Sequence, residues 1–98
     1  MKQESAVGLD FLIVQAEGNI VSDMDGEKVM LSIKNGKYYN LGEVGGFIWE
    51  CIQQPKSIAN IIEEVIATYN VTSEQCEVDI IPFIEMLKEE NLIEVFQM

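Results

Sequence analysis

The chain has 98 residues, 48% of them hydrophobic and 23% charged, which fits one domain able to bury roughly 60 to 65 per cent of its unfolded surface. No apolar run approaches the roughly 20 residues of a membrane span, and an N-terminus with Glu4 and Asp10 but no long apolar stretch argues against a secretory signal, so a cytoplasmic protein is expected. Seventeen acids against six lysines, with no arginine or histidine, give a net charge of −11; this balance excludes a nucleic-acid binder, which needs cations for phosphate, and equally an anionic membrane surface.

Residues 1–10 show no clear period, and at least the first five are expected to be loose. Residues 11–15 are apolar and read as a short strand or as an arm lying over the core. After Gly18-Asn19, residues 20–23 read as a strand ending at Asp25-Gly26, a pair suited to a tight hairpin because both residues tolerate positive φ. Residues 28–33 form the next strand, where Val29, Leu31 and Ile33 alternate with Lys28, Met30, Ser32 and Lys34 and direct one face inward. Asn35-Gly36 gives a second two-residue hairpin signal, and residues 37–41 return antiparallel with Tyr39 and Leu41 on one face and Tyr38 and Asn40 on the other. The result is a three-stranded meander whose last strand lies at an edge.

At Gly42 the period changes to a helical one, with Val44, Phe47, Ile48, Cys51 and Ile52. This first helix is expected over about residues 43–53, because Gln54 precedes Pro55 and is pushed toward extended φ/ψ. Its Gly45-Gly46 pair costs on the order of 1 kcal/mol per glycine, pointing either to close approach of another backbone or to a tolerated weak first turn. Trp49 lies off the main stripe. Ser57 is an N-cap for a second helix with the stripe Ile58, Ile61, Ile62, Val65 and Ile66, ended by Tyr69-Asn70. Thr72 to Gln75 matches a capping box for a third helix with core positions Cys76, Ile80, Ile84 and Leu87. Pro82 either kinks that helix or sits in the first turn of a regular part starting near Asp79. Residues 92–96 are apolar and close over the sheet. Strands first and helices in tandem give an α+β fold.

Cys51 and Cys76 read as buried reduced thiols, since there is no C-x-x-C pair and no histidine to complete a metal site. Without histidine a serine or cysteine triad also lacks its ordinary base, and Glu63-Glu64 falls on the solvated side of a helix. Gly42, Gly45 and Gly46 do not make a phosphate loop, because no lysine follows and the preceding strand is antiparallel. No cofactor is expected, and the chain reads as a binding module.

The order G-x-Y-Y-x-L (Gly36 to Leu41), glycine then Ile48-Trp49, Ser57-Ile58-x-x-Ile61-Ile62, Asp79-Ile80-x-x-Phe83-Ile84-x-x-Leu87 and Asn91-Leu92-Ile93 resembles the PqqD-like family, the small peptide-binding domains called RiPP recognition elements, over roughly residues 20–93. The Y-Y-N-L-G…F-I-W wording is more similar to the stand-alone members of lasso-peptide gene clusters than to the pyrroloquinoline-quinone chaperone. The resemblance implies a winged helix-turn-helix-like shape. It also implies capture of the leader peptide of a ribosomally made precursor, for presentation to a separate leader peptidase of the transglutaminase-like cysteine protease kind and then to an ATP-dependent macrolactam cyclase. The DNA-binding use of that shape is excluded by a third helix carrying Glu74, Glu77, Asp79, Glu85, Glu89 and Glu90 against Lys88 alone.

Residue spacing indicates where such a peptide would lie. With Ile80 at the core centre, Phe83, Asp79, Met86 and Glu90 fall along one flank of the third helix. If that flank faces the edge formed by Lys37, Tyr38, Tyr39, Asn40 and Leu41, an extended peptide can add as a strand while its apolar side chains enter the groove between. Cys76, Ile80, Phe83 and Met86 would then line it and Asp79 or Glu90 would meet a cation or backbone N–H. The alternatives are that Phe83 and Met86 are core and Asp79 a cap. A second functional reading is a small acidic adaptor for a folded partner protein, for which an exposed Trp49 with Phe11 and Phe96 would provide the patch.

Overall fold

The computed structural model describes residues 8–97, so the expectation about the first five lies outside the described residues. The elements run β1 (Leu12–Gln15), β2 (Asn19–Met24), β3 (Glu27–Ser32), β4 (Lys37–Leu41), α1 (Gly42–Cys51), β5 (Lys56–Ser57), α2 (Ile58–Tyr69), α3 (Ser73–Glu89) and β6 (Ile93–Phe96). They make an α+β fold in which β2, β3 and β4 form the expected meander and three helices follow. A second antiparallel sheet, ordered β5-β1-β6, joins the two ends of the described chain. The apolar stretch 11–15 is thus a strand, and residues 93–96 pair with it rather than closing over the meander.

Local chemistry explains most element ends. Asp25 and Gly26 both have positive φ, 58° and 86°, the tight hairpin conformation those residues allow. The second hairpin differs from the two-residue turn: Ser32 pairs with Lys37, and residues 33–36 form a four-residue loop. Ser32 holds it, its Oγ accepting from the Asn35 N–H at 3.1 Å and its carbonyl from the Gly36 N–H at 2.8 Å. Ile33 is consequently a loop residue, 63% exposed, and the inward row of β3 is Met30 and Ser32, both fully buried. Apolar alternation alone selects Val29, Leu31 and Ile33 instead; the packing of α1 on the other face overrides it.

Ser57 and Thr72 act as N-caps, accepting from Asn60 and Gln75 backbone N–H groups, both at 3.1 Å. The reciprocal half of the capping box is not made, because the Gln75 amide donates to Asp79 instead. Asn70 closes α2 in the left-handed conformation. α3 is helical through Pro82 from Ser73 onward, so its regular part does not wait for Asp79. Ile61, Ile62 and Val65 of α2 and Cys76, Ile80, Ile84 and Leu87 of α3 meet in the core, as their spacing requires. Trp49 is buried too, because α1 lies between β3 and α2 and has little solvated face left.

β4 lies at the edge of its sheet, and among the described residues no strand pairs with its outer side. Its hydrogen-bonding parity follows from one peptide unit. The Ile33 N–H donates to the Gly18 carbonyl at 3.1 Å, on the β2 side, so the Ser32 carbonyl at the opposite end of that trans peptide points toward β4. Backbone groups alternate sides along a strand and in-register partners share their direction. Ser32 and Met30 therefore face their partners Lys37 and Tyr39, while the N–H and C=O groups of Tyr38 and Asn40 turn to the free edge. Proline at position 39 should remove a ladder bond and cost about 1–3 kcal/mol relative to Tyr39→Ala. Tyr38→Pro should melt within about 1 kcal/mol of Tyr38→Ala, because that N–H has no ladder partner to lose. Equal losses in thermal unfolding for the two prolines would refute this parity.

Candidate functional site

α3 runs beside β4 in the opposite direction, and two contacts set its distance. At the C-terminal end Glu90 is tied to the start of β4: the Tyr39 hydroxyl donates to Glu90 Oε1 at 2.7 Å, Lys37 Nζ lies 3.4 Å from the same oxygen, and Asn35 Nδ2 donates to the Glu90 carbonyl at 2.8 Å and to the Tyr39 hydroxyl at 3.1 Å. The Tyr39 hydroxyl foremost, with the charge of Lys37, holds the Glu90 carboxyl below its ordinary value. Nearer the middle of the helix the Phe83 ring lies over Gly45 of α1. A Cβ there would sit 2.9 Å from the ring, whereas a Cβ at Gly46 would sit 2.7 Å from the aliphatic stem of Lys28. The glycine pair thus serves close approach, but of side chains rather than of another backbone.

At the Phe83–Gly45 contact, on the side away from Glu90 and beside the end of β4, opens an apolar cavity of about 160 Å³, lined by Leu41, Val44, Gly45, Ile48, Ile80 and Phe83 with Asp79 at its side. A cavity of that order accommodates a benzene-sized ring. Leu41, Asp79, Ile80 and Phe83 are hence brought together as the spacing required, and Phe83 is half-buried, part wall and part core. Lys37, Tyr38 and Asn40 are exposed on β4 and Tyr39 is half-buried against α3. Asn40 Oδ1 accepts from the Gly42 N–H at 3.0 Å and so steers the chain into α1. Met86 packs on the core and is not part of the cavity wall. Cys76 is only 2% exposed and belongs to the α2–α3 packing, so it does not line the groove. Asp79 does not cap the helix; both its oxygens accept from Gln75, leaving the carboxylate exposed beside the cavity. Val44, Gly45 and Ile48 were not among the expected site residues, although the costly glycine pair was the available signal.

Two larger concavities are polar. One, of about 530 Å³, lies between Gln15, Val21, Asp23, Lys28, Trp49, Glu50 and Gln53. Lys28 spans it, 2.7 Å from Asp23 and 2.9 Å from Glu50, so a ligand there would have to displace existing ion pairs. The other, of about 540 Å³, is walled by Glu17, Lys34, Asn91 and Glu94 among others. Neither adjoins an unpaired backbone edge of β4.

Cys51 and Glu64 engage one another. The Cys51 thiol donates to Glu64 Oε1 at 3.3 Å, and burial first and that carboxylate second push it up to about 11. Glu64, expected on a solvated face, is half-buried and paired with Lys56 at 2.8 Å. Among the described residues no group of three or more acids and thiols is disposed to hold a metal ion, and no helix is long and apolar enough to cross a membrane. The aromatic patch of the adaptor reading does not form, since Trp49 is 5% exposed and Phe11 half-buried.

Residues 27–93 match the family described as Coenzyme PQQ synthesis protein D (PqqD). The chain belongs to the PqqD family. No curated protein gives a match. Among solved structures, the chain is similar to TbiB1, determined in complex with the TbiA(beta) leader peptide, at 27% identity with a TM-score of 0.72, covering 83% of this chain and 94% of that one. It shares its fold with the PqqD truncation of Methylobacterium extorquens PqqCD, a stand-alone RiPP recognition element, at 15% identity with a TM-score of 0.70, covering 85% of this chain and 88% of that one. The PqqD-like recognition-element fold inferred from Y-Y-N-L and D-I-x-x-F-I is therefore the fold of this protein.

Glu90 gives a pH test of how α3 is held. Its folded pKa is depressed, so its contribution is complete above the ordinary value of 4.5 and is lost as pH falls through the lowered one. Tyr39→Phe removes the leading cause, and in a side-chain carboxyl NMR titration the Glu90 midpoint should move up toward 4.5. An unchanged midpoint would show that the hydroxyl does not hold the helix end.

Proposed function

We propose that this protein is a non-catalytic peptide chaperone. It captures the leader segment of a ribosomally made precursor as an added strand on β4 and presents the adjoining peptide to a separate leader peptidase and macrolactam cyclase of lasso-peptide maturation. The observation that carries the reading is the pairing of an unpaired strand edge, with the Tyr38 and Asn40 backbone groups turned outward, and an apolar cavity next to it. Membership of the PqqD family and likeness to a protein solved with a leader peptide support it.

Backbone pairing supplies affinity that is indifferent to sequence, and the cavity supplies selection, taking an apolar anchor between Leu41, Ile48, Ile80 and Phe83. Asp79, exposed beside it, favours a leader cation near that anchor. The net charge of −11 draws cationic peptides and repels nucleic acid. Catalysis belongs to other chains: this sequence has no histidine to act as base, and its better-placed thiol is held protonated.

A fluorescent leader of roughly 10 to 20 residues, encoded beside this gene, should bind with a micromolar to nanomolar Kd, about 8–12 kcal/mol, while duplex DNA should not bind. Phe83→Ala should weaken leader binding by about 1–3 kcal/mol, and lose less stability than the about 3–5 kcal/mol of a fully buried phenylalanine. Gly45→Ala should leave the melting temperature nearly unchanged, helix propensity offsetting the displaced ring, yet reduce binding as Phe83 is pushed into the cavity. Anisotropy titration and thermal melts read all of these. Salt-sensitive DNA binding in the same range, or leader binding indifferent to both substitutions, would overturn the proposal.

A further inference from the structure

The outer face of the meander breaks the usual rule that an antiparallel sheet turns polar residues to water. Its cross-strand register lines up Ile20 of β2, Leu31 of β3 and Tyr38 of β4 in one row, with Ser22, Val29 and Asn40 in the next. Neither row holds a charge, on a chain with a net charge of −11. Ile20 is 52% exposed and Tyr38 75% exposed, and Tyr38 ends the row at the open edge with no neighbour on that side among the described residues. β2 and β4 are both edge strands, so among the described residues the row lacks a further cross-strand neighbour at each end, and the Tyr38 end lies on the strand whose Leu41 lines the apolar cavity.

We infer that a peptide added to β4 is read on both faces, with an apolar side chain on the outer face packing against Tyr38 and the Ile20–Leu31 row, as well as an anchor in the inner cavity. The inference rests on the strand-addition reading above and follows from its geometry. Residues opposite one another in adjacent strands share a face. The outward backbone groups of Tyr38 and Asn40 fix those two residues as the ones that bond to the added strand, so the peptide residue opposite Tyr38 projects outward beside its ring. The residue opposite Leu41 projects inward to the cavity, on the face that Leu41 itself occupies. Side chains on opposite faces differ by an odd number of residues. The ligand is thus an extended peptide with two apolar anchors at odd separation, one held by α1 and α3, the other by the sheet alone. Tyr38 determines specificity without forming any wall of the cavity.

The test is selection of a phage-displayed library of random 12-residue peptides on the immobilised full chain, wild type, Tyr38→Ser and Phe83→Ala in parallel. Tyr38 is three-quarters exposed, so Tyr38→Ser keeps the fold, which a thermal melt checks. Wild-type selection should yield apolar residues at two positions of odd separation. Tyr38→Ser should erase the preference at one of them and Phe83→Ala at the other. For one selected peptide, serine at the outer position should weaken anisotropy-measured binding to wild type about three- to fivefold and change binding to Tyr38→Ser hardly at all. If the pool depends on Phe83 but keeps both preferences on Tyr38→Ser, or if the serine peptide loses equally on both proteins, the outer-face inference is wrong while peptide capture stands. If wild type enriches no peptide, peptide capture is wrong and this inference falls with it.

Discussion

The distance between α3 and the edge strand is the constraint on which the site depends. It is held by polar bonds at one end, where Glu90 meets Tyr39 and Asn35, and by a ring lying on a glycine at the other, where Phe83 meets Gly45. A longer side chain at position 45 would close the gap, and loss of the Glu90 contacts would free the helix end. With those contacts in place, the free backbone edge of β4 and the apolar cavity at its Leu41 end lie side by side. Groups held in place in this way would keep the ordering cost of binding an extended chain low.

An unpaired edge is ordinarily a hazard, since it templates pairing with any extended chain. Here the edge is five residues long and begins with Lys37, and the chain around it is strongly acidic. Short length and like-charge repulsion between copies limit self-association without covering the edge. The same charge that protects the edge also selects what can approach it, favouring cationic over acidic segments.

The polar groups away from the groove are largely engaged with one another. Lys28 is held between Asp23 and Glu50, Lys56 neutralises Glu64, and Cys51 donates to that same carboxylate. Each pairs a group that would otherwise be available for proton transfer, and the carboxylate beside Cys51 disfavours the thiolate. These pairs pin α1 to the hairpin and to α2, and so serve the position of Gly45 and Ile48 in the cavity wall.

The sequence by itself determined whatever depends on neighbours along the chain. Helical spacing places Ile61, Ile62 and Val65 against Ile80, Ile84 and Leu87; the hydroxyls of Ser57 and Thr72 cap the following turns; and Asp25-Gly26 adopts the positive-φ conformation that a tight hairpin favours. Alternation likewise put Tyr39 and Leu41 on the inner face of β4, and Asp79, Ile80 and Phe83 on the helix flank that lines the groove. What only the tertiary structure decided concerns contacts between distant segments. Residues 12–15 and 93–96 pair across the chain, and the inward row of β3 holds Met30 and Ser32 because α1 packs there. Trp49 is buried by two elements at once, and the glycine pair admits side chains from β3 and α3. The register of β4 against β3 was likewise beyond local pattern, because it turns on whether the loop has two residues, pairing Lys34 with Lys37, or four, pairing Ser32 with Lys37, and Asn35 is drawn into the longer loop by Glu90, 55 residues away. A short-range signal ranks the local conformations, but a hydrogen bond to a remote residue is large enough to choose between them.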